Sequence, residues 1–360
     1  MEGGVSRDEA TSLIPPNSTP LSFQAAALLL YPQVTCDVML SPRFKPWHLF
    51  PFALKYARLR LTGRPVLVNF EVTMRCNAAC GGCDYWQTPA SERANELKSF
   101  ADAARAFDPM MITFTGGEPT LRRDLEEIVA EVARAVPYCY MSLLTHGGML
   151  TIERAQALWD AGLAQFSISL DYLDERHDAA RGIPGLAAKI LALAPQLSAR
   201  GMAVRFNTVI RDDNLDDILP IVRHAHTVGA GVNLSVYTDM KNGSKDHLIR
   251  ADQHARVQTL VDDLLAFKRR HRGVITNSDW YLRQLPRYLR DEMPEPCRSG
   301  ETTIHIDPRG LVRRCPDFPA DTHWTKYDGY KPIACNACYY ACRGEAQAPL
   351  TLSRFQDLLA

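Results

Sequence analysis

From Val66 onward the chain alternates between short apolar runs and longer stretches of helical periodicity. The strand-like runs are "VLVNFEVT" (66–73), "MMITFT" (110–115), "YCYMSLLT" (138–145), "AQFSISL" (164–170), "MAVRFNTVI" (202–210) and "VNLSVY" (232–237). Helix-like stretches fill the gaps near 94–107, 121–135, 151–161, 185–200, 214–228 and 252–271. Each strand reads as a continuous apolar run, the pattern of a strand buried on both faces. Strands alternating with helices predict parallel pairing through right-handed crossovers. Six such units fall two short of a closed eight-unit barrel. The expected fold is therefore α/β, a partial (β/α)6 TIM-like barrel, with its site at the C-terminal ends of the strands.

Two flanking regions break the alternation. Before it, "WHLFPFALKYARLRLT" (47–62) reads as a helix, with Phe50, Leu54, Ala57 and Leu61 at helical spacing and Lys55 and Arg58 off that face. After residue 275, Pro, Cys and Arg rise and a small cysteine-rich C-terminal module is expected. The predicted organisation is a disordered N-terminus (1–20, rich in Gly, Ser, Pro and Thr), a helical extension (21–65), the barrel (66–274) and the module (275–360).

Composition narrows the function classes. Hydrophobic residues at 46% suffice for a buried core. Forty-one basic residues balance 41 acidic ones, which argues against a nucleic-acid partner. The apolar run "AAALLLY" (25–31) is far short of the ~18 residues a membrane span needs. Residues 1–20 carry one Arg, one Asp and two Glu, not the basic lead-in of a signal peptide. A cytoplasmic location is expected, where ten cysteines serve as ligands or reactive thiols rather than disulfides.

Three of those cysteines stand in eight residues, Cys76, Cys80 and Cys83, directly after the first strand. A structural zinc takes four closed ligands, and a cubane iron–sulfur cluster takes four cysteines. Three thiolates leave one iron open to a substrate or cofactor. Zinc completed by a distant residue is the alternative.

This stretch resembles the signature of the radical S-adenosylmethionine (SAM) superfamily, and further motifs over about residues 66–345 agree in order. "TFTGGEPTL" (113–121) is similar to the family's glycine-rich segment, which implies that Gly116, Gly117 and Glu118 contact the SAM amino group. "SISLD" (167–171) implies Ser167, Ser169 and Asp171 near the ribose and methionine, and "HDAARGIPG" (177–185) implies Arg181 on the SAM carboxylate. Guanidinium and carboxylate match as forks. Asn207 in "FNTVI" is a ribose candidate. For each, a strand-end polar residue satisfying its own backbone is the structural alternative. The residue before the third cysteine is Gly82 where the family carries an aromatic, so Tyr85 and Trp86 are candidates to cover the adenine. "THGG" (145–148) stands where the family often has Thr-Asn-Gly, leaving His146 as either a substrate contact or a turn residue.

Cys297, Cys315, Cys335, Cys338 and Cys342 form a second set. "TTIHI" and "LVRRC" read as two strands around the turn "DPRG". This arrangement resembles the SPASM and twitch auxiliary-cluster modules and implies one auxiliary 4Fe-4S cluster, with zinc as the alternative and one cysteine spare. Cys36 and Cys139 match nothing, and Cys139 is expected in the core.

The resemblance implies an enzyme that cleaves SAM reductively at a 4Fe-4S cluster, forms a 5′-deoxyadenosyl radical and takes hydrogen from an unactivated carbon, with net oxidation or carbon–carbon or ring formation. A flavodoxin or ferredoxin would supply the electron. No cobalamin-binding region is evident. The substrate class stays open among small molecules, lipid-like molecules and peptides. Between Asp37 and Glu71 six basic residues (Arg43, Lys45, Lys55, Arg58, Arg60, Arg64) accompany Trp47, Phe50, Phe52 and Tyr56, so a peripheral membrane contact through residues 43–64 is weighed against a helix that closes the barrel's bottom. The loop "YTDMKNGSKDH" (237–247), with Asp239, Lys241 and Asp246, is expected to face the substrate. The rival from another class is a non-catalytic iron–sulfur or zinc protein, an electron carrier or scaffold.

Overall fold

The computed structural model describes residues 49–88, 100–293, 295–320, 322–328 and 331–349. The expectations for residues 1–20, Cys36, Arg43, Lys45 and Trp47 lie outside the described residues.

The chain opens with α1 (Leu49–Thr62) and then alternates. The strands are β1 (Leu67–Thr73), β2 (Met111–Gly116), β3 (Tyr140–Thr145), β4 (Gln165–Ser169), β5 (Val204–Ile210) and β6 (Gly231–Val236). Between and after them lie α2 (Phe100–Phe107), α3 (Leu125–Ala135), α4 (Ile152–Ala161), α5 (Arg176–Arg181), α6 (Leu186–Ala199), α7 (Ile218–Thr227) and α8 (His254–Arg270). Then come α9 (Asp279–Leu289), β7 (Thr303–Ile306), β8 (Leu311–Arg313), β9 (Thr322–His323) and α10 (Ala341–Gln347). The sheet runs in the order β6-β5-β4-β3-β2-β1-β7-β8-β9 and is not closed. The first six strands are parallel, as the alternation predicts.

The strands are not apolar throughout. Their outward residues, such as Phe70, Phe114, Leu143, Phe166 and Phe206, are fully buried in one core with the helices. Each such side chain contributes about 1.5–3 kcal/mol by leaving water. Many of the inward residues are polar, alongside Leu67, Met111 and Leu144. His305, Asn69, Thr113, Ser142 and Gln165 stand side by side across β7, β1, β2, β3 and β4, and Ser169, Asn207 and Asn233 do so across β4, β5 and β6. This corrects the expectation of strands apolar on both faces. Small hydrophilic side chains are tolerated inside because they line a cavity of ≈ 730 Å³ and hydrogen-bond to one another, Thr113 with Ser142 at 3.0 Å and Gln165 to Ser167 at 2.7 Å.

The C-terminal module is sewn onto this sheet. β7 pairs in parallel with β1, Leu67 opposite Thr303 and Phe70 opposite Ile306. β7 and β8 form the expected hairpin, whose Asp307 carboxylate accepts from the backbone N–H groups of Arg309 (2.9 Å) and Leu311 (3.0 Å). The helix α9 had no counterpart in the sequence pattern. Its Ser278 hydroxyl accepts from Tyr281 N–H at 3.1 Å, and Tyr281 stacks on Tyr339 with ring centroids 4.6 Å apart.

At the opposite end α1 lies under the barrel, Phe52 and Leu59 packing against Met110, Met111 and Tyr140. The buried face is therefore not the one marked by the repeat. Phe50, Leu54 and Leu61 are 77%, 64% and 88% exposed, whereas Lys55 is buried, with its ammonium on Pro137 O (3.2 Å) and Asp108 (2.7 Å). A helix apolar on two sides cannot announce its inner side by spacing. Here a lysine whose stem packs and whose head finds acceptors chose it. Among the described residues no helix is long and apolar enough to cross a membrane.

Candidate active site

The loop leaving β1 carries Cys76, Cys80 and Cys83, all partly exposed, at the C-terminal mouth of the barrel. Two glycines let the end of β2 close on that loop. A side chain on Gly116 (φ +119°) would meet Thr73 O at 2.2 Å, and one on Gly117 would meet Arg75 O at 2.2 Å. Backbone bonds from Gly117 N–H to Thr73 O and from Glu118 N–H to Arg75 O, both 2.8 Å, use that proximity.

Glu118 is almost fully buried and does not line the cavity. One oxygen accepts from Thr120 N–H (3.0 Å) and the Thr145 hydroxyl (2.6 Å), the other from His146 N–H (2.9 Å). The carboxylate thus ties the ends of β2 and β3 together. His146 is a turn residue. Its Nδ1 accepts from Gly148 N–H (2.9 Å), which leaves Nε2–H to donate to Asn77 in the thiol loop (2.9 Å). Burial pushes its pKa below the usual imidazole range, which favours that neutral form.

Across the mouth, Asp171 and Arg181 form a buried pair at 2.5 Å. Asp171 also accepts from Val209 N–H at 2.9 Å. The guanidinium of Arg181 reaches Cys80 Sγ at 3.8 Å, and its buried Nε has no hydrogen-bond partner in the structure. The backbone carbonyl of Arg181 accepts from Ala79 N–H at 2.9 Å, so α5 and the thiol loop are one unit. Ser167, Ser169, Asp171, Arg181 and Asn207 all line the cavity, together with Cys80 and Cys83. Asn207 is fixed by the amide of Asn233 at 3.1 Å.

The place of the Tyr237 ring and the buried Glu71 carboxylate went unread in the sequence, and Lys241 stands differently from its expectation. Tyr237, at the end of β6, lies where a Cβ on Gly82 would come within 2.6 Å of its ring, and it lines the cavity. The aromatic missing at position 82 is thus replaced by a ring from another strand. Tyr85 and Trp86 turn elsewhere, Tyr85 donating to Glu71 (2.9 Å) and Trp86 Nε1–H to Cys83 O (2.9 Å). In the 237–247 loop, Tyr237 and Thr238 line the cavity, but Lys241 braces the module. Its ammonium donates to Pro316 O (3.2 Å) and lies 4.2 Å from the centroid of the Tyr85 ring. Glu71 is a buried carboxylate with His305 at 3.6 Å and Arg313 at 4.0 Å across the β1–β7 seam.

The second cysteine set lies against the same cavity, which Cys342, Pro316 and Tyr340 line opposite Cys80 and Cys83. Cys297 N–H donates to Cys335 O at 2.9 Å, and Cys297 O accepts from Ala334 N–H at 3.1 Å. Buried Arg343 ties the chain by donating to Asn336 (2.7 Å) and Glu295 O (3.0 Å). Burial pushes the thiols of Cys315 and Cys338 up to about 12. That of Cys342 is pushed up by burial and then by the sulfurs of Cys338, Cys297 and Cys315. Cys76 is pushed up to about 11, mainly by burial. Such thiols need a metal to displace their protons. Cys139 is a buried core residue.

The donor sets can be tested against a single ion. Tetrahedral zinc with Zn–S near 2.3 Å would bring its sulfurs to about 3.8 Å from one another. Among the described residues neither cysteine set brings three sulfurs within 4.8 Å; Asp212, Asp213 and His247 are the one group that does so with its ligand atoms. The donor chemistry of the loop, three thiols of which those of Cys80 and Cys83 belong to residues lining the cavity with Arg181, fits a cubane with one iron left for an external ligand.

The model of the Radical SAM superfamily matches residues 70–225. An AdoMet-dependent heme synthase of Nitratidesulfovibrio vulgaris is 28% identical over 69% of this chain and 73% of its own length. A PqqA peptide cyclase of Methylocella silvestris is 30% identical over 70% and 68%. Among solved structures, Streptococcus suis SuiB bound to S-adenosylmethionine shares the fold, with a TM-score of 0.59 at 16% identity over 78% of this chain and 69% of that one.

Proposed function

The chain belongs to the radical SAM superfamily, and on that premise we propose that it takes a hydrogen atom from an unactivated carbon of a polar small molecule or peptide and oxidises that substrate. The observation that carries the reading is that one cavity is lined by residues of both cysteine sets, Cys80 and Cys83 from the loop and Cys342 from the module. When bound, the loop cluster with SAM supplies the 5′-deoxyadenosyl radical, and an auxiliary cluster in the module supplies an acceptor for the electron the substrate gives up.

The protein's own groups bind and orient. Arg181, held by Asp171, offers its Nε to the carboxylate of SAM. Gly116 and Gly117 bring backbone to the methionine end, while Glu118 fixes that backbone. Ser167, Ser169 and Asn207 border the ribose. Tyr237 walls the adenine side. Cys297, Cys315, Cys338 and Cys342 would supply the auxiliary ligands, with Cys335, whose carbonyl accepts from Cys297 N–H at 2.9 Å, as the fifth candidate. A flavodoxin or ferredoxin would reduce the loop cluster, and the proposed location is the cytoplasm. The PqqA cyclase likeness favours a peptide. A peripheral membrane contact would run through the exposed face of α1, Phe50, Leu54 and Leu61.

The test is anaerobic incubation of reconstituted protein with SAM and dithionite. The wild type should form 5′-deoxyadenosine and hold about eight irons, four per cluster. Replacing Cys76, Cys80 and Cys83 with Ala should abolish the nucleoside and leave about half the iron. Undiminished 5′-deoxyadenosine in that variant would sink the assignment. Zinc in place of iron would leave the oxidation without an acceptor.

A further inference from the structure

An arginine is almost never fully buried unless an opposite charge is paired with it. Arg343, in the first turn of α10, is 2% exposed and follows Cys342 directly. Its three hydrogen bonds all go to neutral oxygens: Cys338 O at 2.5 Å, Asn336 Oδ1 at 2.7 Å and Glu295 O at 3.0 Å. Its buried Nε has no hydrogen-bond partner, and among the described residues no carboxylate pairs with it. Neighbouring charges are committed elsewhere. Arg298 donates to Glu301 at 2.9 Å, and the buried Asp317 carboxylate lies 3.9 Å from the Lys241 ammonium.

What the fold brings to this guanidinium is sulfur. It holds the carbonyl of Cys338 and is the chain neighbour of Cys342. Burial pushes the thiols of Cys297 and Cys338 up, and the charge of Arg343 works against that shift at both. A cluster held by four thiolates is anionic and gains one more negative charge on reduction. A cation fixed beside it favours the reduced state and so raises the reduction potential. The loop set is arranged the other way. The guanidinium that reaches Cys80, that of Arg181, is matched by Asp171 at 2.5 Å, so the pair brings no net charge.

We infer that Arg343 is the fixed counter-charge of the auxiliary cluster, raises its reduction potential and so directs the electron from the substrate into the module. The inference rests on the auxiliary cluster proposed above and names the residue that makes it an acceptor. The substrate, having lost a hydrogen atom to the 5′-deoxyadenosyl radical, gives one electron to the module and one proton to water. A one-electron carrier of the flavodoxin or ferredoxin type takes the electron on. Arg343 does not line the cavity. It is a positioning residue that acts through the cluster and not on the substrate.

The experiment uses the reconstituted full chain with Cys76, Cys80 and Cys83 replaced by Ala, so that only the module's iron is read, about four atoms per chain. Its midpoint potential is measured by mediated titration followed by electron paramagnetic resonance. Adding Arg343→Gln should lower the midpoint. At the parent's midpoint the ratio of reduced to oxidised cluster should fall tenfold or more, about 59 mV for a one-electron couple. Arg343→Lys keeps the charge and should restore part of the shift. Asn336→Asp leaves Arg343 in place and cancels its charge, because residue 336 is exposed and its side-chain oxygen already sits 2.7 Å from the guanidinium. It should shift the midpoint in the same direction. If Arg343→Gln does not retain its iron, Asn336→Asp decides, and an unchanged midpoint there overturns the inference. An iron-loaded Arg343→Gln with the parent's midpoint also overturns it and leaves the auxiliary cluster standing. A parent that holds zinc and no iron strikes the auxiliary-cluster reading itself.

Discussion

The two cysteine sites differ in how they are built. The loop set sits on one short segment after one strand, with each of its sulfurs in a partly exposed residue. The C-terminal set is gathered from the segment before β7, the end of a hairpin and the run leading into α10, and three of its five residues are buried. A site that must admit a small molecule is presented on a loop at a rim. A site that must only hold and conduct can be enclosed by the fold. The difference also decides what a sequence can reveal. Spacing within one loop is local and legible, whereas the choice of four ligands among five depends on which sulfurs the tertiary structure turns toward each other.

The sharpest way to break this comparison is to exchange the roles within the enclosed set. Cys342→Ala should remove about half the iron and abolish oxidised product, yet leave substrate-free 5′-deoxyadenosine formation intact. Cys335→Ala should retain about eight irons per chain. Iron analysis and product mass spectrometry of the two variants would read this directly. The reverse pattern, with Cys335 essential and Cys342 dispensable, would redraw the ligand set.

A smaller effect belongs to the open site. Arg181→Ala removes one side of a buried pair and the contact proposed for the SAM carboxylate. The lost charge-assisted contact is worth on the order of 1.5–3 kcal/mol, so SAM affinity should fall about ten- to a hundredfold. Iron content should not change. Equilibrium binding of SAM beside an iron assay separates a clamp residue from one that merely stabilises the loop.

The same contrast explains what was readable in advance. The strand–helix alternation, the thiol loop and the β7–β8 hairpin depend on neighbours in sequence, and all three stand where the pattern put them. Long-range choices were not readable. The polar inner rows were written in the strands as Asn69, Thr113, Ser142 and Asn233, but their meaning depends on a cavity that no single strand contains. Glu118 looked like a ligand for SAM and is instead consumed by Thr145 and His146, residues of another strand end. The inner side of α1 was set by acceptors at Pro137 and Asp108, far away in sequence.

Gly82 offers a third and smaller handle, because it joins the open site to β6. A methyl at this position would come within 2.6 Å of the Tyr237 ring. Gly82→Ala should therefore cost about 1–3 kcal/mol, as overpacking does. Much of that should return in Gly82→Ala combined with Tyr237→Ala, since the clash is pairwise. Thermal unfolding of the reconstituted single and double variants measures the coupling. Additive losses would mean that Gly82 serves the loop backbone and not the ring.

The smallest effect on stability lies farthest from both sites, on the outer face of α1. Phe50, Leu54 and Leu61 are exposed and face away from the barrel, so they contribute almost nothing to its core. Leu54→Ser and Leu61→Ser should each change the unfolding free energy by no more than about 0.5 kcal/mol, the range of ordinary surface substitutions. Their effect should appear only where this face meets an apolar surface. Arg60 is exposed on the same helix, so attraction to anionic headgroups would add to apolar insertion. Co-sedimentation with vesicles rich in phosphatidylglycerol, against vesicles of phosphatidylcholine alone, is the measurement. Binding to the anionic vesicles that both serine variants lose, at unchanged stability and unchanged 5′-deoxyadenosine formation, would place α1 on a membrane surface. No sedimentation of the wild type would overturn the membrane contact of this face.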